Sequence, residues 1–179
     1  MQPFSGLLKR TPLGSRLIFG LCAVCYALYS WSHHLFVALD LTCRPVDVIF
    51  GLQLQRLLFA SLAHTSLLGL CLALLVCWRR FAWVEHQHGT LGFLLWFNWN
   101  SVLLHGMYCL FAVTFASAID AGASSREVHG LFPLLTASLV AGARGTDGAE
   151  VWLWPLPIYV PVRVLPLIVI ALSWLFHWE

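Results

Sequence analysis

From His86 to Ile119 the chain runs without a single Asp, Glu, Lys or Arg, and two further stretches, Leu17 to Leu39 and Leu57 to Trp78, are equally free of formal charge. About 20 apolar residues suffice for a helix to cross a hydrocarbon core roughly 30 Å thick. The rest of the chain offers little polar surface to hide such runs in water. Of 179 residues, 60% are hydrophobic and 10% charged, against about 25% charged in an ordinary soluble domain. Mean hydropathy is +0.81. A soluble enzyme lacks the surface it would need, and disorder is excluded by the same apolar content. The net charge of +2 provides no basic stripe for nucleic acid. The runs are continuous rather than alternating, which rejects a β-barrel. The expected fold class is all-α, a polytopic transmembrane helical bundle.

The expected organisation is an N-terminal cytosolic tail over 1–16 and a transmembrane domain over 17–179. Five helices are predicted, at about 17–39, 57–78, 91–119, 128–143 and 163–178. Arg56 and the Arg79-Arg80 pair bound the second, and the Gly89-Thr90 turn opens the third. The fourth is short, which suits a place inside a bundle better than full exposure to lipid. Four prolines interrupt Val151 to Trp178. The stretch from Val151 to Val162 therefore reads as an interfacial segment, since Pro lacks an amide donor and clashes with the preceding turn. Trp152, Trp154 and Tyr159 suit the headgroup level there. Lys and Arg favour the N-terminal side, which places the N-terminus in the cytosol, or in the matrix if the membrane is mitochondrial. The first 39 residues hold no acid and three basic residues ahead of Leu17, a loose match to a mitochondrial presequence. The tail is too short and too Pro-interrupted to make a good amphipathic helix.

No cofactor or metal site is expected. Cys22 and Cys25 have redox-motif spacing, but inside an apolar helix cysteine behaves as a small hydrophobe, and the thiolate is disfavoured. The other four cysteines show no zinc spacing, and no disulfide framework is implied. His86 and His88 are expected in a loop. His64, His105 and His129 fall at membrane segments, where a polar side chain is a functional candidate. No carboxylate adjoins them to orient a metal ligand, so interhelical hydrogen bonding is the plainer role. Small residues four apart, such as Gly69 and Ala73 or Ala112 and Ala116, allow close helix packing.

The stretch from Gln55 to Phe97 carries Arg56, Ala63-His64, and Trp83-Val84-Glu85-His86-Gln87-His88-Gly89-Thr90-Leu91. Here the chain resembles the rhomboid-like superfamily. In that family an Arg enters the second helix of the core, a His follows within two turns, and a Glu-x-x-x-Gly turn opens the third helix. Arg56, His64, Glu85 and Gly89 stand in those places. His129-Gly130-Leu131-Phe132 resembles the start of the family's fourth helix. Physically, a carboxylate such as Glu85 can tie a tight loop by accepting backbone amides, and Gly89 can take a positive φ without strain. Arg56 either braces the first loop or lies among headgroups.

The resemblance implies a protease only if a Ser nucleophile and its base are present. His129 occupies the nucleophile position, in Glu127-Val128-His129-Gly130. Gly69 and Ala73 replace the family's second-helix His and oxyanion Asn, so no oxyanion donor is expected. The sixth-helix His has no counterpart before Glu179. Ser125 and His129, four apart, would face each other only if the fourth helix extended back that far. The expected class is a pseudoprotease, in the branch of ubiquitin-associated-domain-containing rhomboid-like proteins of the endoplasmic reticulum, without that domain. The likeness lies in Ser5-Gly6-Leu7-Leu8-Lys9 and Gly130-Leu131-Phe132-Pro133-Leu134. It implies binding of membrane clients or partner subunits in the reticulum, alongside ubiquitin-dependent degradation machinery. The bilayer is the surrounding partner. A structural subunit of a mitochondrial inner-membrane complex is the alternative, and an active intramembrane protease a further one. Arg56, His64, Glu85, Gly89 and His129 are the candidate structural or partner-binding residues, and no catalytic residue is expected.

Overall fold

The computed structural model of the chain describes residues 11–32, 41–116, 125–143, 150–152 and 159–176. It divides into two compact units, Met1–Leu131 and Phe132–Glu179.

In the first unit, α1 (Leu13–Trp31) is followed by two short helices, α2 (Pro45–Ile49) and α3 (Gln55–Phe59). The long helix α4 (Leu67–Phe111) comes next and continues as a π-turn over Ala112–Ala116. Two helices of the described residues are long and apolar enough to cross a membrane, Leu13–Trp31 and Leu67–Thr114. Large apolar side chains such as Leu67, Leu95, Leu110 and Phe111 stand exposed along them. These are features of a membrane-embedded chain, in which lipid rather than protein covers the outer faces.

Helix α4 is not one rod. Gly89 breaks it at φ 71°, ψ 169°. The rings of Phe81 and Phe97 lie 6.1 Å apart, although in a straight helix those residues would be separated by about 24 Å. The helix therefore folds back on itself at Gly89 into arms 67–88 and 90–111. Each arm is about 33 Å long, enough for one crossing. Phe81 seals the hairpin, packing against Phe93, Trp96 and Phe97. Phe19 of α1 stacks on Trp78 and Phe81. Gly14 and Ser15 meet Glu85, so α1 runs antiparallel to the first arm and parallel to the second. The hairpin register sets Trp78 to Arg80 level with Asn98 to Asn100. Arg80 lies over the Trp83 ring at 4.3 Å.

The second unit holds α5 (Phe132–Ala143), a two-stranded antiparallel ladder and α6 (Leu165–Phe176). The strands β1 (Glu150–Trp152) and β2 (Tyr159–Pro161) pair Val151 with Val160. A 3₁₀ turn, Val162–Val164, leads into α6, and α5 packs against both.

Several expected boundaries move. The second long helix begins at Leu67, not Leu57. Ser66 is extended and its hydroxyl accepts the Gly69 amide at 3.4 Å, an N-cap ten residues downstream of Arg56. The segment before it, Ser61 to Ser66, is rich in side chains that compete for backbone bonds and turns instead of coiling. The same helix runs straight through Arg79-Arg80 as far as Gly89, so His86 and His88 are exposed helix residues, not loop residues. The first helix starts at Leu13 rather than Leu17, and the part of its expected span over 33–39 lies outside the described residues. Residues 117–119 of the third span are also outside them. The fourth helix starts at Phe132 rather than Val128, because Val128 is held extended against Cys43. The last α-helix starts at Leu165, after the 3₁₀ turn.

Candidate functional site

The site region of the first unit is built from three clamps. The first is Glu85, which is 2% exposed. Its Oε1 accepts the Gly14 amide at 2.7 Å and the Thr90 hydroxyl at 2.8 Å. Its Oε2 accepts the Ser15 amide and the Ser15 hydroxyl, both at 2.7 Å. Helix α1 starts after Pro12, which offers no side-chain cap. Glu85 therefore satisfies two of the orphan amides of its first turn from another helix, with a charge placed where the helix dipole favours it. Through Thr90 the same carboxylate also spans the Gly89 bend.

The second clamp is Arg56, 6% exposed. Its Nη1 donates to the Thr42 carbonyl at 2.9 Å and its Nε to Gln53 Oε1 at 2.5 Å. Its Nη2 pairs with Asp47 Oδ2 at 3.1 Å. The guanidinium thus ties residues 42, 47 and 53 to α3, the fork geometry suiting several oxygens at once. Between the clamped points, the loop presents Phe50, Leu52 and Leu54 outward. Leu52 sits at φ 53°, a left-handed conformation that costs about 1–2 kcal/mol for an L-residue.

The third clamp gathers the residues around Gly130. Cys43 and Val128 exchange both backbone hydrogen bonds, at 3.1 and 3.0 Å. Arg44 pairs with Glu127 through Nη2 and through Nε at 2.7 Å. Burial alone would push the Glu127 carboxyl up, but hydrogen bonds from Arg44 and Thr42, with the Arg44 charge, hold it below the usual glutamate range. Gly130 donates its amide to the Ala60 carbonyl at 2.8 Å. At φ +94° a Cβ on Gly130 would lie 3.5 Å from His64 Nε2. His64 is buried, and its Nδ1–H donates to the Leu62 carbonyl at 3.2 Å. His129 Nε2 and the Thr65 hydroxyl are 2.9 Å apart.

His64 and His129 are therefore brought to one place, on either side of Gly130. His105 is not. It is 1% exposed, and its Nδ1–H donates to the Ser101 carbonyl one turn back at 2.8 Å. Ser101 in turn meets the Ser61 hydroxyl at 2.6 Å and donates to the Leu57 carbonyl at 2.7 Å. That network welds α3 and the turn after it to the second arm. Glu85 and Gly89 lie together at the bend, and Arg56 stands apart from both. No group of three or more His, Cys, Asp or Glu able to hold a metal occurs among the described residues.

Ser125 lies in a 3₁₀ turn and is exposed, and residues 126–129 are not helical, so the helix does not extend back from Phe132 to join Ser125 and His129 on one face. Gly69 is half-buried and Ala73 buried, and neither offers a side-chain donor. Three residues carry no signal in the sequence. Thr65 is an ordinary hydroxyl in a polar run. Cys43 and Cys109 bring their Sγ atoms to 3.3 Å although they are 66 positions apart, a separation that no spacing rule detects.

No family model matches the chain. It is 31% identical over 109 residues to Rhomboid-type serine protease 2 of Saccharomyces cerevisiae (strain ATCC 204508 / S288c), a match that takes in 60% of this chain and 41% of that protein. The chain thus matches about two-fifths of the relative's length. The similarity supports a rhomboid-like helical membrane protein.

Proposed function

We propose that this chain is a rhomboid-like pseudoprotease that holds membrane clients or partners in quality control, degradation or retention in the endoplasmic reticulum. The observation that carries the reading is the setting of His129. The family's nucleophile position is an imidazole on an extended segment, and the adjacent Gly130 amide is spent on the Ala60 carbonyl. An acyl-transfer site needs donors aimed at the developing oxyanion, and neither Gly69 nor Ala73 offers a side-chain donor. What remains is a scaffold. Glu85 and Arg56 fix the bend and the first loop, and that loop presents Phe50, Leu52 and Leu54 to lipid or to a partner helix. Helix α5, 12 residues long, covers about 18 Å, short of a hydrocarbon core of about 30 Å. A bilayer thinned around short helices accepts a neighbouring transmembrane segment at small cost.

The test is purification of the protein from native membranes in a mild detergent, with identification of what accompanies it. Ubiquitin ligase or segregase components that are lost in Arg56→Ala or in Phe50→Asp support the reading. A fixed stoichiometric set of inner-membrane subunits replaces it with a structural role in a mitochondrial complex.

One observation favours a second reading. The Thr65 hydroxyl and His129 Nε2, 2.9 Å apart, have the spacing of a nucleophile and its base. Covalent labelling by a fluorophosphonate, abolished in both Thr65→Val and His129→Ala, would make the chain a hydrolase.

A further inference from the structure

The geometry points to an intramolecular disulfide between Cys43 and Cys109, stapling the first loop to the far end of the α4 hairpin. Both thiols are buried, at 0% and 1% exposure, and their sulfurs are 3.3 Å apart. Joining them requires an approach of roughly 1 Å, to the bond length of about 2.05 Å. They sit in one apolar cluster with Val48, Leu57 and Ala60, and Tyr108 packs against it.

Cys43 is a junction. Its own backbone pairs with Val128, the Thr42 carbonyl before it receives Arg56, and the Arg44 side chain after it holds Glu127. A covalent bond at Cys43 would fix the α2–α3 loop, the α4 hairpin and the segment leading to His129 in one step. None of the other cysteines stands at such a crossing: Cys22, Cys25 and Cys77 are buried along the helices, and Cys71 is exposed.

The bond needs an oxidising face. Lys9, Arg10 and Arg16 precede or open α1, and Arg79 and Arg80 lie in the bend half of the first arm, which directs that end to the cytosol. Cys43 and Cys109 are at the opposite end. In the secretory lumen that face is the compartment where disulfides form and persist. The step is thiol–disulfide exchange with a protein or glutathione disulfide. One thiolate attacks a donor sulfur and releases the donor's other sulfur as a thiol. The second cysteine then attacks the mixed disulfide and releases the remaining donor thiol. The donor gains two electrons and two protons, and the chain loses two hydrogens. Because the pair is closed off once the loop packs, exchange belongs to folding, and the finished bond is shielded from reductant. The inference rests on the orientation and reticulum placement of the proposed function but not on catalytic status.

The experiment uses the full chain, extracted from its native membranes with excess N-ethylmaleimide present throughout and denatured without reductant. Mass spectrometry of the digest is expected to show four of the six cysteines alkylated, with Cys43 and Cys109 in one linked peptide pair that separates on reduction. In Cys43→Ser, Cys109 should become alkylated without reductant, and Cys71→Ser should leave the linked pair intact. Alkylation of all six thiols in the wild-type chain overturns the proposal, as does a linked pair that forms only when the blocking reagent is omitted. Protease protection of a tagged N-terminus, run on the same membranes, separates failure of the disulfide from failure of the orientation beneath it.

Discussion

Glu85 accepts both the backbone amide and the hydroxyl of Ser15, each at 2.7 Å, across 70 positions of the chain. A carboxylate on the first arm of α4 thus does for α1 what an N-cap side chain does locally, and Pro12, at the cap position, leaves that task open. The consequence is that helix α1 and the Gly89 bend are stabilised as one object.

Replacing Glu85 by Gln tests this. The amide keeps one acceptor oxygen but turns an NH₂ toward donors that come from Gly14, Ser15 and Thr90, leaving at least one buried donor opposed by another. The loss is expected at about 1–3 kcal/mol, the range for a buried polar group deprived of its partner. Thermal unfolding in detergent should register a lower midpoint for Glu85→Gln and a larger drop for Glu85→Ala. Equal midpoints for Glu85→Gln and wild type would remove the capping role.

Two glycines at the same end should fail for different reasons. A Cβ on Gly14 would meet Phe93 Cδ1 at 2.9 Å and Glu85 Oε1 at 3.0 Å. Gly14→Ala therefore overpacks the junction, at a cost of about 1–3 kcal/mol. At Gly89 a Cβ meets nothing within 4 Å, but the residue holds φ +71°. Gly89→Ala is costly through the backbone alone, by about 1–3 kcal/mol for a conformation that is essentially glycine's. Truncating Phe93 to Leu should partly rescue Gly14→Ala and leave Gly89→Ala unchanged, read as thermal midpoints of the double mutants.

This contrast also bears on what the sequence discloses. Gly89 is legible through the Glu-x-x-x-Gly spacing it forms with Glu85, which resembles the turn that opens the third helix of rhomboid-like proteins. So is the helical character of the chain, since uninterrupted apolar runs leave the backbone little alternative in lipid. The helix start at Leu67 is not legible from hydropathy. Leu57 to Ala63 is apolar enough to read as the start of the helix, and the cap at Ser66 together with the contacts of Leu57 and Ser61 to Ser101 decides otherwise. The partners of Glu85 are predictable in kind but not in place: a buried carboxylate calls for backbone amides, yet those of a helix 70 positions away lie beyond any local pattern. The Thr65–His129 and Cys43–Cys109 pairs depend wholly on tertiary packing.

Arg56 should be intolerant of loss and only partly replaceable by Lys. The ammonium of Arg56→Lys is a point charge that cannot serve Asp47, Gln53 and the Thr42 carbonyl with the same fork. Arg56→Met leaves Asp47 without its cation. The expected loss lies toward the low end of about 3–5 kcal/mol for breaking a buried pair, because Asp47 retains 32% side-chain exposure. Hydrogen exchange followed by mass spectrometry should show faster exchange over 42–59 in Arg56→Lys, with the α1–Glu85 junction unaffected. Exchange unchanged over that segment would mean that the loop is held by its apolar contacts alone.

The Arg44–Glu127 pair predicts an acid-sensitive junction beside His129. Its carboxyl titrates below the usual glutamate range in the folded chain, whereas in the unfolded chain it titrates near about 4.3. A carboxyl with a depressed folded value contributes stability above the unfolded value, and that contribution fades as pH falls from about 4.3 toward and through the folded value. Both side chains meet solvent, at 43% and 33% exposure, so the effect should stay at or below about 1 kcal/mol. Limited proteolysis in the 125–130 segment, using an acid-active protease, should accelerate through this window in the wild type. In Arg44→Ala the segment should already be more susceptible at neutral pH, with a flatter acid dependence, and added salt should narrow the difference. A wild-type profile as flat as that of Arg44→Ala would show that the Cys43–Val128 backbone pairing holds the segment without help from the ion pair.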